Sequence, residues 1–177
     1  MANKKVWFIT GAGRGLGIDI AKAALKAGHQ VVATGRNPKV VEDAVGKSPD
    51  LLTLKLDITR SGDSEAAAKA AVARFGRIDV LVNNAGGSLS AEMFETAPWQ
   101  QFQEQIDTHL KGAVLTIKAV LPHMTALGGG SIINIVSAYA EGRPPEGLST
   151  YVAAKHALKG LSRSLAVELG PKNIRVN

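Results

Sequence analysis

The amino-acid sequence predicts an α/β domain in which a doubly wound parallel sheet lies between two layers of helices. Two observations carry this. Short apolar runs rich in β-branched residues recur at 5–10, 30–34, 51–56, 79–83 and 131–136. Most are nearly continuous in hydrophobicity, as strands buried on both faces are. Stretches with helical spacing separate them. Strict alternation of strand and helix gives parallel strands joined by crossovers.

Each element has its own justification. The run 5–10 (KVWFIT) ends where Thr10-Gly11 opens a glycine-rich turn. Residues 15–27 then carry Leu16, Ile20, Ala24 and Leu25 at helical spacing. The runs 30–34 and 51–56 are the next two strands, 62–75 is an alanine-rich helix, and 79–83 is the fourth strand. A long helix is predicted over 99–126, where Phe102, Ile106, Leu110, Val114, Ile117 and Leu121 repeat. Gly128-Gly129-Gly130 turns the chain into the strand 131–136, and Arg143-Pro144-Pro145 marks an irregular loop. The helix 149–169 follows, carrying Val152, Ala153, Leu158, Leu161, Leu165 and Val167. No internal repeat or linker divides the chain, so 1–177 reads as one domain.

Composition bounds the function. The chain is 45% apolar and 20% charged, which excludes a disordered or collagen-like protein. It has no cysteine, hence no disulfide, thiolate metal site or cysteine nucleophile. His29, His123 and His156 show no metal-ligand spacing, and no metal is expected. The net charge of +6 comes from scattered residues, with two Trp, two Tyr and four Phe available for stacking on bases. Nucleic-acid binding is therefore not expected. No apolar stretch approaches the ~18 residues of a membrane span. The four apolar residues after Lys4-Lys5 are too few for a signal sequence. A cytoplasmic protein with no membrane partner is the expectation.

The first turn carries chemistry. Thr10-Gly11-Ala12-Gly13-Arg14-Gly15-Leu16-Gly17 links the first strand to the first helix. Glycine lets a backbone approach a pyrophosphate closely, and the helix start favours the anion through its N–H groups and dipole. The spacing is T-G-x-x-x-G-x-G, with Leu16 where the commoner dinucleotide fingerprint has its third glycine. The end of the second strand indicates which dinucleotide. An NAD site usually has a carboxylate there for the ribose 2′-hydroxyl. Thr34-Gly35-Arg36-Asn37 has none. Arg36 offers planar, charge-assisted hydrogen bonds to a 2′-phosphate instead, and Arg14 is a candidate second cation. NADP(H) is thus expected in preference to NAD(H).

Tyr151 and Lys155 share one face of the last predicted helix. A free tyrosine, with a pKa near 10, is a poor acid–base group at neutral pH, and a nearby ammonium favours its phenolate. Such a pair protonates a carbonyl oxygen or deprotonates an alcohol. Ser137, at the end of the fifth strand, is placed to hold the substrate oxygen.

Taken together, Thr10 to Gly17, Asn83-Asn84-Ala85-Gly86, Ser137, and Tyr151 with Lys155 occur in an order that resembles the short-chain dehydrogenase/reductase family. The single-domain form is meant, and the sequence is most similar to the 3-oxoacyl-carrier-protein reductase and carbonyl reductase branch. The resemblance runs from residue 5 to the last residue. It implies a cofactor loop of Thr10, Gly11, Arg14, Gly15, Leu16 and Gly17. It also implies Asp57 and Ile58 at the adenine, with Asn84, Ala85 and Gly86 on the cofactor side. Ser137, Tyr151 and Lys155 match the catalytic set, and Tyr151 and Lys155 would also contact the nicotinamide ribose. The implied reaction is hydride transfer between NADP(H) and a small-molecule carbonyl or alcohol, with Tyr151 as general acid/base. A dimer through helices 99–126 and 149–169 is implied too.

Two departures stand out. His109, in Thr108-His109-Leu110-Lys111-Gly112, occupies the place of the family's catalytic asparagine. A neutral imidazole has one donor and one acceptor, and so can still hold the water that links to the lysine. The relay is expected to be altered and turnover lowered. The second departure is at Asn173–Asn177, the family's sixth strand. The P-G motif, substrate-covering loop, helix and seventh strand that follow in the family are absent, so the domain is expected to be incomplete at its C-terminal end. An alternative is therefore a catalytically weak or silent dinucleotide-binding fragment or partner subunit. A third reading, an extended-branch sugar-nucleotide epimerase or dehydratase, conflicts with the glycine spacing. The loops 87–98 and 138–150, with Tyr139, Arg143 and Glu146, would shape the substrate pocket without specifying a substrate.

Overall fold

The computed structural model describes residues 4–87, 89 and 91–177. Its strands are β1 (Val6–Ile9), β2 (Gln30–Gly35), β3 (Leu51–Lys55), β4 (Val80–Asn83), β5 (Gly130–Asn134) and β6 (Ile174–Val176). They form one all-parallel sheet in the order β3-β2-β1-β4-β5-β6. This is the expected Rossmann-like α/β architecture, with all six expected strands. The chain winds out from β1 to β3, then returns to the other side of β1 with β4. That reversal opens a crevice at the C-terminal ends of β1 and β4, where open α/β sheets bind ligands.

Strand alternation sorts the core into two layers. Val6, Phe8, Leu81, Ile132 and Ile174 are fully buried toward α3 (Ser61–Phe75), α5 (Gly112–Ala126) and α6 (Ser149–Leu169). Ile9, Val31, Ala33 and Val82 point the other way, toward α1 (Leu16–Lys26) and α2 (Pro38–Val45). Each large side chain buried this way contributes about 1.5–3 kcal/mol. In α3 the buried positions Ala67, Ala68 and Ala71 are small, which lets the helix lie close to the sheet.

The structure differs from the sequence-based expectation in two places. Helix α2 lies where the spacing predicted no element. Its start is chemically marked: Asn37 accepts a hydrogen bond from Lys39 N at 3.0 Å, and Pro38 occupies the first turn. It is only eight residues long, with Val41 and Val45 buried, so its periodicity is short. The helix expected over 99–126 is three pieces: α4 (Trp99–Ile106), a π-helical turn (Asp107–Lys111) and α5. Gly112 N–H reaches back to Asp107 O, closing the wider turn. His109 stands in that turn and is 5% exposed. Helix α6 has the expected bounds. Among the described residues, no helix is long and apolar enough to cross a membrane.

Candidate active site

The glycine loop is held from behind by β4. Thr10 is buried, and its hydroxyl accepts hydrogen bonds from Asn84 N and Ala85 N, both at 3.0 Å. Asn84 Nδ2 donates to Thr10 O at 3.0 Å and to Gly11 O at 3.1 Å. The two loops therefore touch backbone to backbone. Gly11 has φ +70°, and a Cβ there would stand 2.6 Å from Ala85 Cα. A Cβ on Gly17 would stand 2.4 Å from Gly11 O. Neither position has room for any other residue. Gly15 caps α1 without a side chain, which leaves the helix start accessible to an anion.

A cavity of about 1100 Å³ opens in front of this loop. Gly11, Arg14 and Gly15 line it on the loop side, and Asn84, Ala85 and Gly86 line it from β4. Arg36, Asp57 and Ile58 also line it, so the ends of four strands, β1, β2, β3 and β4, contribute. Thr10 and Gly17 shape it from behind, and Leu16 stands exposed at the first residue of α1. Arg14 Nη2 donates to Gly86 O at 3.1 Å, which bridges the cavity mouth. Thr59 donates to Asp57 Oδ1 through its hydroxyl at 2.7 Å and its N–H at 3.0 Å. Those bonds, with the positive charge of Arg36 nearby, hold the Asp57 carboxyl below the usual carboxylate range. Asp57 is thus a ready acceptor in the cavity wall. The close backbone approach, the cavity size and this acceptor fit a dinucleotide.

The candidate catalytic groups meet where the π-helical turn packs on α6. Lys155 is 5% exposed, and its Nζ donates to Ile135 O at 2.7 Å. The same ammonium lies 5.7 Å from the Tyr151 ring centroid. His109 meets Tyr151 edge to face, with ring centroids 5.2 Å apart. Ser137 stands two residues beyond Ile135, and its Oγ accepts from Tyr139 N at 3.2 Å. Burial pushes Lys155 down to about 8. Burial first, and the Lys155 charge second, push His109 down to about 4. At neutral pH the site therefore holds an ammonium and a neutral imidazole. Neither His109 ring nitrogen has a hydrogen-bond partner among the described residues. Both belong to a side chain that borders, with Lys155, Thr10 and Asn83, a cavity of about 10 Å³.

The π-helical turn, α6 and the β5 exit thus bring His109, Tyr151 and Lys155 together, with Ser137 close by in the chain. Ile135 was not assigned from sequence, because a main-chain acceptor leaves no side-chain signature. Of the loop 87–98 expected to shape the substrate pocket, residues 88 and 90 lie outside the described residues. Glu92 N donates to Gly147 O at 2.9 Å, which joins that loop to the segment carrying Tyr139, Arg143 and Glu146. Among the described residues, no three His, Cys, Asp or Glu side chains gather to hold a metal.

Comparison with known proteins agrees with this geometry. The chain is 38% identical over 174 residues to oxidoreductase BOA17 of Botryotinia fuckeliana, covering 97% of this chain and 63% of that protein. It is 36% identical over 180 residues to 2-(R)-hydroxypropyl-CoM dehydrogenase of Xanthobacter autotrophicus, covering 98% and 72%. Among solved structures, the 3-ketoacyl-(acyl-carrier-protein) reductase of Brucella melitensis, complexed with NADH, superimposes with TM-score 0.92 at 33% identity. That match covers 99% of this chain and 74% of the reductase. A short-chain dehydrogenase of Streptomyces avermitilis gives TM-score 0.90 at 37% identity, covering 99% and 64%. The chain thus spans roughly two thirds of the length of these proteins. The family profile described as short chain dehydrogenase matches residues 5–177, and with that extent of agreement in sequence and fold the chain belongs to the short-chain dehydrogenase/reductase family of oxidoreductases.

Proposed function

We propose that the chain is the dinucleotide-binding and catalytic domain of an NADP(H)-dependent reductase that interconverts a small-molecule carbonyl and its alcohol in the cytoplasm. The observation that carries this reading is the meeting of Tyr151, Lys155 and His109 next to the glycine-loop cavity, where the His109 ring lies against Gly86 of its wall. Reduced nicotinamide bound there supplies the hydride. Tyr151 gives its phenolic proton to the carbonyl oxygen as negative charge builds on it. The Lys155 ammonium stabilises the phenolate left behind. Ser137 holds the same oxygen through its hydroxyl and so fixes the direction of proton transfer. His109 takes the part of the family's asparagine. Its neutral ring borders, beside Lys155, a cavity on the scale of one water, through which a proton returns to Tyr151.

Arg36 is the group that favours NADP(H). It lines the cavity together with Asp57, the residue that the resemblance puts at the adenine. The Brucella reductase was complexed with NADH, so cofactor choice must be measured on this chain. The test is titration with NADPH and with NADH, followed by the fluorescence of the reduced nicotinamide. NADPH is expected to bind more tightly, and Arg36→Ala to weaken it by roughly 10–100-fold with little change for NADH. Equal affinities would remove the NADP(H) preference. Binding of neither would remove the whole reading.

A second reading is a catalytically silent dinucleotide-binding subunit, which the change to His109 favours. NADPH oxidation with any carbonyl excludes it. We further propose a dimer through α4–α5 and α6. Trp99, 70% exposed, and Val167, 78% exposed, leave apolar surface on those helices. Light scattering at micromolar concentration should give twice the chain mass, and a single monomeric species would refute the dimer.

A further inference from the structure

Beneath the catalytic groups runs a buried line of hydrogen bonds that the chemistry above does not use. Asn83 and Asn134 are register partners at the ends of β4 and β5, so their side chains lie together on one face of the sheet. Thr116 Oγ1 donates to Asn83 Oδ1 at 2.6 Å. Asn83 Nδ2 donates to Asn134 Oδ1 at 2.8 Å, and Asn134 Nδ2 donates to Ser162 Oγ at 2.8 Å. Ser162 Oγ in turn donates to Leu158 O at 2.8 Å. Every donor points the same way, from α5 through β4 and β5 into α6. Such head-to-tail chains polarise one another in a low dielectric. All four residues are at most 8% exposed. Their surroundings are apolar, since Leu81 and Ile132 precede the two asparagines on the same face and Leu158 is 2% exposed. Water cannot replace a missing link there cheaply.

The placement is what gives this line a role. Asn83 precedes Asn84, which holds the glycine loop. Asn134 precedes Ile135, whose carbonyl holds Lys155. Ser162 lies about two helical turns beyond Lys155 on α6, and Thr116 lies about two turns beyond His109 on the helix that continues from it. Each link is therefore rigidly connected to a different part of the site.

We propose that the Thr116–Asn83–Asn134–Ser162 line is a positioning element that sets α5 and α6 in register with β4 and β5, and so fixes Tyr151 and Lys155 relative to His109 and the cofactor loop. This rests on the reductase reading for its effect on turnover, but its effect on register does not. The experiment uses Thr116→Val and Ser162→Ala, which break the line at its ends. Thr116→Ser keeps the donor and is the rescue variant. Val120→Ala, on α5 and 1% exposed but outside the line, controls for lost stability. Two readouts are taken: amide hydrogen exchange of residues 135–137 and 151–156, and kcat with NADPH and a carbonyl.

Thr116→Val and Ser162→Ala are expected to speed that local exchange tenfold or more and to lower kcat at least about tenfold, with KM for NADPH nearly unchanged. Thr116→Ser should behave as the wild type. If Val120→Ala produces the same local exchange and kcat loss, or if Thr116→Val changes neither, the proposal is wrong. If the wild type shows no turnover but the exchange pattern is as expected, the positioning role stands and the reductase reading fails.

Discussion

Tyr151→Phe is expected to lower kcat for carbonyl reduction by roughly 10²–10⁴-fold, the range of a lost general acid. The substitution removes one hydroxyl and keeps the ring. The edge-to-face contact with His109 is between rings, so it survives. NADPH affinity should fall by no more than about tenfold, because the glycine loop, Arg36 and Lys155 are untouched and only the Tyr151 hydroxyl's contact to the nicotinamide ribose is lost. Steady-state kinetics with a reactive carbonyl, together with an NADPH titration, measure both. Retention of more than a tenth of wild-type kcat would assign the proton to another group. The pH profile of the wild type adds a second check. Lys155 is held down to about 8, so its ammonium is lost as pH rises through that value. kcat/KM, which reports the free enzyme, should fall above about pH 8.

Residue types dictated by chemistry were legible in the sequence. Only glycine fits at 11 and 17, where a Cβ would meet backbone, and that shows in the T-G-x-x-x-G-x-G spacing. Tyr151 and Lys155 share a face of α6 because helical spacing puts them there. The parallel sheet followed from five nearly continuous apolar runs, with the sixth strand expected from the family resemblance, and the structure has all six. The rest depends on contacts distant in sequence. Asn84 is an example: a cofactor-side residue by resemblance, it directs its amide to the carbonyls of Thr10 and Gly11. Arg14, read as a second cation, donates to Gly86 O across the cavity mouth. The π-helical turn has no local signature, since the residues 107–111 fit an ordinary helix equally well. Likewise the asparagine pair at 83 and 134 becomes a pair only once β4 lies beside β5. Helix α2 is the exception, because its Asn37-Pro38 start is a local signal in the sequence and its brevity hid it.

Between pH 6.5 and 4 the protein is expected to lose on the order of 3 kcal/mol of stability through His109 alone. The sign follows from linkage. The imidazole is held down to about 4 in the folded chain, against 6.5 when free. The unfolded chain therefore binds more protons in that window, and stability falls as pH falls. Asp57, held below the usual carboxylate range, adds its own loss at still lower pH. His109→Asn has no titrating group at this position. Its midpoint of denaturant unfolding should decline much less between pH 6.5 and 4 than that of the wild type. The same decline in both would mean that the imidazole is not buried in its neutral form. The variant also tests the relay. Asparagine is the family's residue here, and kcat is expected to rise with it; an unchanged rate would show that His109 carries the proton as well as the amide does. Burial causes both shifts in this site, and it moves His109 and Lys155 in the same direction. A neutral imidazole beside a charged ammonium therefore persists from about pH 4 to about 8, and that span is where the proposed proton transfer can operate.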